Sequence, residues 1–377
     1  MQSLIKILLT MIFALLIGAI FILIIGENPL EAYVALVRGA FNGKLKIGTT
    51  LASFTPLLLT SCAFAVAAKA GAFNVGVEGE VFLGGITAAY IGINWTFLPK
   101  PILLVACFAG AIIVAALWAW IPAVLKVYYR VSEVCVTILM NSVALYITSY
   151  LVSGPMSAGV ANAQSLPVTV NLTQFMKPSS VNTGLFVAIA VVVLVTLVLY
   201  KTTIGYKIRS VGTNPNFSEY VGISPKKSLI QAMMLSGALG GIAGCIEVLG
   251  VHGYFLNNFA TGLGSNGMLA SLIVKNNMVF APFMAFFLAM LKSGAMGMQQ
   301  STGVPKSLVD TITAVFIIVA TMELLFKFGN KKPRRGGGTP PGKTANADIE
   351  TQTRTGVNLP SAKTTGTPTH NEGEVTT

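Results

Sequence analysis

The chain has 377 residues, of which 54% are hydrophobic and only 10% are charged, and its mean hydropathy is +0.74. Soluble domains carry about a quarter charged residues, so this composition excludes a soluble globular protein and predicts an all-α polytopic membrane protein. The formal net charge is +12, but the basic residues lie between apolar runs rather than along one solvated face. They therefore indicate membrane topology and not nucleic-acid binding.

About ten apolar segments are candidates for transmembrane helices. A hydrocarbon core about 30 Å thick needs roughly 20 apolar residues in a helix. The predicted spans are 4–25, 49–69, 77–97, 101–125, 133–153, 183–200, 229–250, 259–274, 278–298 and 305–327. Because 259–274 is short and 278–298 contains Lys292, the alternative is nine spans, or eight with a re-entrant hairpin.

The distribution of lysine and arginine favours ten spans. Ten spans place both termini in the cytoplasm, together with the basic cluster at 331–335. Merging 259–298 into one span would put that cluster outside, against the positive-inside rule. The membrane part is thus predicted to cover 1–328, and the Thr-, Gly- and Pro-rich stretch 329–377 is predicted to be a disordered cytoplasmic tail.

Ten spans divide into two halves of five, which must have opposite orientations, so an inverted repeat is predicted. The third span of each half is rich in glycine at similar places, with AFNVGVEGEVFLGG at 72–85 and FATGLGSNGMLASL at 259–272. Broken helices at matching positions of two halves indicate a transport site. Close packing of small residues without any substrate contact is the alternative.

Polar residues in or next to the spans are candidates for lining a translocation path, because intramembrane polar groups usually face a cavity or a partner. These candidates are Asn74, Glu78, Glu80, Asn141, Glu247 and Asn266. Proton coupling is a second reading of the carboxylates. A third is that the charges pair within the bundle, for instance Lys292 with Asp310 or Glu247.

The polar loop 201–228 interrupts the apolar chain and carries a helix signal. Asn214 is a suitable N-cap, Pro215 suits the first helical position, and Gly222 is placed to end the helix. A helix from Pro215 to Val221 would expose Phe217 and Tyr220 among basic residues. The residues alone allow docking to a protein partner or contact with anionic membrane lipid.

Five segments, in order, resemble the permease subunits of bacterial ABC importers for nucleosides and simple sugars. They are GAFNVGVEGEVFLGG (71–85), VSEVCVTILMNSVALY (131–146), GYKIRSVGTNPNFSEYVGIS (205–224), LSGALGGIAGCIEVLGV (235–251) and MQQSTGVPKSLVDTI (298–312). The resemblance implies a type II ABC importer-like fold in a bacterial cytoplasmic membrane. It also implies three partners: an ATPase with two fused nucleotide-binding modules, a second related permease, and a substrate-binding lipoprotein outside.

The resemblance also implies that the polar loop is the coupling helix that docks on the ATPase. The coupling residues would be Gly212, Asn214, Pro215, Phe217, Glu219, Tyr220 and Gly222. The version of the third-span motif at 71–85 is closer to the nucleoside branch, so inward nucleoside transport is predicted. A pentose or galactose permease is the nearest alternative, and an ion-coupled secondary transporter is the alternative from another class.

No catalytic residue, cofactor or metal site is predicted, so the chain is not expected to be an enzyme. The string at 337–344 matches the nucleotide-binding pattern GxxxxGK[ST], but it lies in the Gly/Pro-rich tail and contains two prolines, which lack the N–H groups that hold phosphate. ATP hydrolysis is therefore assigned to a separate subunit.

Overall fold

The computed structural model describes residues 16–24, 26–302, 307, 310 and 311, and this part of the chain is helical, with only isolated β-bridges. The helices are α1 (Leu16–Ile24), α2 (Pro29–Phe41), α3 (Lys44–Lys69), α4 (Val77–Asn94), α5 (Lys100–Tyr129), α6 (Glu133–Ser153), α7 (Gly184–Lys201), α8 (Thr203–Thr213), α9 (Pro215–Tyr220), α10 (Pro225–Ile246), α11 (Leu263–Ile273) and α12 (Ala281–Thr302). A π-helix, Glu247–His252, continues α10.

Six helices in the described residues are long and apolar enough to cross a membrane: α3, α5, α6, α7, α10 with its π-helix, and α12. The pair α1 and α2, bent by 114°, would make a seventh if it is one span. The sequence did not predict α2. Most of the predicted spans 4–25 and 305–327 lies outside the described residues, and so does the predicted tail.

Two predicted spans differ from simple transmembrane helices. The segment 77–97 forms α4, an 18-residue helix with two glutamates in its first turn. The segment 259–274 contains only the 11-residue α11, which at 1.5 Å per residue is about 16 Å long, roughly half of a bilayer core. The glycine and asparagine residues before α11 explain the difference, because they favour a non-helical backbone.

Helix α3 lies at the centre of the bundle. Of its apolar stretch, 72% is buried inside the chain, against 28% for α5 and 17% for α6. It contacts α7, α10, α11 and α12, all of which come much later in the sequence. Several of its hydroxyl groups bond to carbonyls of the same helix: for example, Thr55 donates to the Leu51 carbonyl at 2.9 Å and Thr60 to that of Pro56 at 2.9 Å.

Glycine and alanine set the close packing of α10 on its neighbours. A Cβ atom on Gly237 would lie 2.6 Å from the Ala119 Cβ, and one on Gly241 would lie 2.7 Å from the Ala115 Cβ. Because the two contacts run in opposite senses along the chain, α10 and α5 are antiparallel. Only residues without a side chain at these positions allow the two backbones to approach so closely.

The bundle has two distinct ends. The end that carries α8 and α9, here called the Pro215 end, also holds the last residues of α3, α5 and α7 and the first residues of α6 and α10. The loop 154–183 covers the opposite end, where the Thr169 amide donates to the Gly92 carbonyl at 3.2 Å and the Leu172 amide to that of Leu249 at 2.8 Å.

The segment that connects α10 and its π-helix to α12 crosses the bundle, and the first half of this segment is not helical. Phe255 bonds to Ser165 at the opposite end, and Phe259 packs edge-on against Phe82 of α4, with the ring centroids 5.7 Å apart. Helix α11 then runs toward the Pro215 end, and α12 returns, so that Lys46 reaches Gln300 at 3.5 Å. Residues 259–298 therefore do not form a single span.

Candidate functional site

The start of α4 is held by a buried hydrogen-bond cluster around Asn74. The Asn74 amide nitrogen donates to Glu80 Oε1 at 2.8 Å and to Ser236 Oγ of α10 at 2.9 Å. Its Oδ1 accepts from the Gly76 N–H at 3.0 Å. Asn74, Glu80 and Ser236 are all buried, and Glu80 Oε2 has no hydrogen-bond partner in the described part of the chain. Asn74 therefore joins the α3–α4 connection to both α4 and α10.

Asn141 of α6 holds the same region from the other side. Its Oδ1 accepts from the Gly79 N–H at 2.8 Å, and its amide nitrogen donates to the Val75 carbonyl at 2.9 Å. Both ends of this amide are bonded to backbone groups that flank the first turn of α4. Asn74 and Asn141 were predicted from the sequence to line the path, and the structure brings them together as supports of the α4 N-terminus.

The N-termini of α4 and α11 meet inside the bundle. A Cβ atom at Gly264, in the first turn of α11, would lie 2.6 Å from the Glu78 backbone nitrogen. The predicted path residue Asn266 lies in the same first turn. The partial positive ends of two helix dipoles are thus juxtaposed, each after a non-helical segment. Five of the six predicted path residues are in this region.

The sixth predicted path residue, Glu247, lies outside the amide cluster. It begins the π-helix and lines a cavity of about 200 Å³ together with Ser53, Lys292 and Leu263, the first residue of α11. Glu247 Oε2 is also 3.8 Å from His252 Nε2. The sequence suggested Glu247 or Asp310 as the partner of Lys292. Lys292 shares this cavity with Glu247, whereas Asp310 is exposed.

The helix predicted in the polar loop is confirmed as α9, Pro215–Tyr220. Asn214 caps it by accepting from the Phe217 N–H at 3.0 Å, and Gly222 follows it with φ of +80°, a backbone conformation that favours glycine. Helix α8 was not predicted from the sequence. Its signal was present in the N-cap Thr202, which accepts from the Gly205 N–H at 3.3 Å, and in the helical spacing of its apolar residues.

Helices α8 and α9 form one exposed unit on the end of α3. Ser210 and Ser218 hydrogen bond across the two helices at 2.9 Å. Gly212 lies so close to the end of α3 that a Cβ atom there would be 3.1 Å from the Ala70 carbonyl carbon. On the outer side, Tyr220 is 91% exposed and Phe217 is 58% exposed. The unit thus presents aromatic side chains while its base is fixed to the bundle.

A charged contact that the sequence analysis did not identify lies beside this unit. Lys126 of α5 forms an ion pair with Glu133 of α6 and also donates to the Gly71 carbonyl at 3.2 Å. Glu133 in turn accepts from the Phe73 N–H at 3.4 Å. Both charges therefore hold the connection between α3 and α4, directly below α8. The sequence signal for this ion pair was the presence of opposite charges, Lys126 and Glu133, on either side of the short turn between α5 and α6.

Within the described ranges, no group of three His, Cys, Asp or Glu side chains is placed to hold a metal ion. The sites built by these residues are helix N-termini, amide clusters and an exposed aromatic surface.

Comparison with known proteins places most of the chain in one family. Residues 46–321 match the family described as branched-chain amino acid transport system / permease component. The guanosine ABC transporter permease protein NupP of Bacillus subtilis is 32% identical over 339 residues, which cover 88% of this chain and 96% of that protein.

Two further relatives are similar over comparable lengths. The nucleoside ABC transporter permease protein NupB of Lactococcus lactis is 30% identical over 332 residues, covering 85% of this chain and 91% of the relative. A glucose ABC transporter permease protein of Haloferax volcanii is 30% identical over 348 residues, covering 88% and 91%.

Proposed function

The chain belongs to the branched-chain amino acid transport system / permease component family, and we propose that it is the membrane permease subunit of an ABC importer that moves nucleosides into the cell. The observation that carries the proposal is the similarity, over most of both chains, to permeases named for guanosine and nucleosides. Its relatives are transport components rather than catalytic enzymes, and its apolar helices make it a multi-pass membrane protein.

We propose ten spans in an inverted repeat of five and five, with both termini in the cytoplasm. The alternating directions of the helices from α3 to α12 support this topology. The meeting of α4 and α11, each after a non-helical segment, supports a repeat in which these two helices correspond. The basic residues near α8, α9 and the start of α10 support the Pro215 end as the cytoplasmic end.

The partners in this proposal are a cytoplasmic ATPase with two fused nucleotide-binding modules, a second related permease and a substrate-binding lipoprotein. The exposed Phe217 and Tyr220 beside Glu219 support docking of the ATPase on α9, since aromatic side chains are enriched in protein interfaces. Closure of the ATPase on ATP would push α8 and α9. Because Gly212 contacts the end of α3, that motion would reach the start of α4.

The translocation step in this proposal is a change in which side of the membrane the pathway faces. The amide cluster of Asn74 and Asn141 would keep the start of α4 in register while the helices around it move. A neutral, hydroxyl-rich ligand requires no charged site along its path, which agrees with the use of the buried asparagines as structural supports.

A simple-sugar permease is the second candidate, and the relative named for glucose supports it. An ion-coupled secondary transporter is a third candidate from a different class, and it would need no ATPase. Guanosine and glucose differ in the aromatic base, so one transport assay with both ligands separates the first two candidates.

The test uses the complete transporter, purified with its ATPase, second permease and lipoprotein and reconstituted in proteoliposomes. We expect ATP-dependent uptake of labelled guanosine that exceeds uptake of glucose, and loss of uptake after Glu219→Ala or Gly222→Val without loss of expression. Thr213→Ser, which keeps a hydroxyl beside α9, is the control. Uptake driven by an ion gradient without any ATPase would refute the ABC proposal. A preference for glucose over guanosine would favour the simple-sugar permease.

A further inference from the structure

The π-helix at the end of α10 is bonded to the loop 154–183. In an α-helix the Gly253 N–H would donate to the Leu249 carbonyl, four residues back. Here it donates to the Val248 carbonyl, five residues back, at 2.8 Å, as in a π-helix. The Leu249 carbonyl instead accepts from the Leu172 N–H of the loop at 2.8 Å. The loop thus bonds to the carbonyl that an α-helix would use.

Asn182, near the end of the same loop, packs against the π-helix. A Cβ atom on Gly250 would lie 2.4 Å from the Asn182 side-chain nitrogen, so the contact requires glycine. Asn182 is buried and held in place: its Oδ1 accepts from the Gly184 N–H at 2.9 Å, and its amide nitrogen donates to the Ser180 carbonyl at 3.1 Å. Glycine inside a helix is less stable than alanine. At this position the sequence therefore favours contact with the loop over helix stability.

Glu247 and His252 make a contact that the π-helix allows and an α-helix does not. Glu247 Oε2 lies 3.8 Å from His252 Nε2. Two residues five positions apart are separated by about 140° around an α-helix, so their side chains would point in different directions. In a π-helix the residue five positions on follows after roughly one turn, and the two side chains share a face. This contact is therefore specific to the π register.

The register of the π-helix determines where the following residues lie. The part of α10 before it is fixed by close packing, since a Cβ atom on Gly244 would lie 2.7 Å from the Gly85 nitrogen of α4. A change of register would therefore turn His252 and the segment after it. His252 packs edge-on against Phe259, with the ring centroids 5.8 Å apart. Phe259 lines the same cavity as Leu263, the first residue of α11, so the register is linked to the start of α11.

The loop also bonds to the non-helical segment after the π-helix. The Val168 N–H donates to the Gly253 carbonyl at 2.9 Å, and the Ser165 N–H donates to the Phe255 carbonyl at 2.9 Å. If the loop lifted, these bonds would break together with the bond from Leu172. The cavity of about 200 Å³ beside the π-helix leaves space for side chains to turn.

We propose that residues 247–252 are a register switch controlled by the loop 154–183. While the loop is docked, these residues form the π-helix, and Glu247 contacts His252. When the loop lifts, the freed Leu249 carbonyl takes up the hydrogen bond of an α-helix, and His252 turns away from Glu247. The turn reaches the start of α11, so the loop at one end of the bundle and the α4–α11 contact in its interior change together. The switch does not depend on which ligand is carried.

Two histidines five positions apart test the register, because they can bind one metal ion only if their side chains share a face. Glu247→His creates such a pair with the native His252 in the full-length chain, purified without a histidine tag in lipid nanodiscs. The probe is Ni²⁺, for which imidazole is a suitable ligand. We expect binding at least about tenfold tighter than in Glu247→His/His252→Ala, because the second imidazole binds intramolecularly. Equal affinities would contradict the π register and overturn the inference.

Gly250→Ala tests whether the loop controls the register. The added Cβ would collide with Asn182 and would favour an α-helix. In the Glu247→His background it should therefore weaken Ni²⁺ binding about tenfold, to the level of a single histidine. The matched control is Gly110→Ala in α5, where a Cβ would also lie 2.4 Å from a side chain, that of Ile91; tight binding should persist. Unchanged affinity with Gly250→Ala, or an equal loss with Gly110→Ala, would overturn the inference.

Hydrogen exchange measures docking of the loop without any change at position 247. The amides of Ser165, Val168 and Leu172 should exchange at least about tenfold faster in Gly250→Ala than in the unaltered chain, and Gly110→Ala should leave their exchange unchanged. Equal protection in Gly250→Ala would refute the link between the loop and the π-helix. Weak Ni²⁺ binding with a fully protected loop would also refute it, because the register would then have changed while the loop stayed docked.

Discussion

Replacement of Asn74 by alanine should destabilise the bundle more than any loss of a single hydroxyl. Asn74→Ala removes three hydrogen bonds, to Glu80, Ser236 and Gly76. Three bonds at about 0.5–1.5 kcal/mol each give a loss of about 1.5–4.5 kcal/mol. It also leaves the buried Glu80 side chain without its only bond among the described residues, which places the expected value toward the upper end.

The assay is reversible unfolding of the purified chain in mixed micelles, followed by circular dichroism as the denaturing detergent increases. Ser236→Ala removes one of the three bonds and should cost about 0.5–1.5 kcal/mol. A double-mutant cycle of Asn74→Ala with Ser236→Ala should give a coupling energy of about 0.5–1.5 kcal/mol. Thr196→Ala is the control, because the Thr196 hydroxyl donates only to the Val192 carbonyl of its own helix, at 2.7 Å.

A destabilisation by Asn74→Ala no greater than that by Thr196→Ala, or a coupling energy of zero with Ser236, would contradict the assigned role of the Asn74 amide. Either result would mean that α4 and α10 are joined by close packing alone and that the amide cluster contributes nothing measurable.

Three other substitutions test neighbouring contacts. Asn141→Asp keeps the acceptor for the Gly79 N–H but sets a carboxylate against the Val75 carbonyl, so it should cost about 1–3 kcal/mol in the same unfolding assay; an unchanged stability would contradict the assigned amide orientation. Gly212→Val should displace α8 from the end of α3, and we expect the ATPase still to copurify while ATP-driven uptake is lost; normal uptake would show that this contact is dispensable. Glu133→Gln should cost only about 0.5–1 kcal/mol, because the ion pair with Lys126 is partly solvated, and the effect should shrink in high salt; a loss that salt does not change would mean that the ion pair is not its source.

The sequence predicted those helices that depend on the length of an apolar run or on capping residues. The long apolar runs became α3, α5, α6, α7, α10 and α12. The Asn214, Pro215 and Gly222 signals predicted α9 almost to the residue, because a cap, a fixed φ and a positive φ are properties of single residues. The passage before α11 was not predictable in the same way, since an apolar, glycine-rich stretch is compatible with helix or with irregular backbone.

The roles of the intramembrane polar residues were less predictable, because their partners are distant in sequence. Asn74 and Ser236 are 162 positions apart, and no local pattern indicates that they meet. The sequence therefore identified Asn74 and Asn141 as unusual but not that their amides would bond to backbone groups around α4.

The central position of α3 has a consequence for how the protein is made. This helix leaves the ribosome early, yet the helices that surround it, α7, α10, α11 and α12, are synthesised much later. During that interval the proline and the hydroxyl groups of α3 are exposed to lipid or to the insertion machinery. The hydrogen bonds from Thr55 and Thr60 to carbonyls of the same helix lower the free-energy cost of this exposure. Chains truncated before α10 should therefore insert into the membrane but leave α3 accessible to membrane proteases. Protection of the first half from proteolysis would then depend on synthesis of the second half.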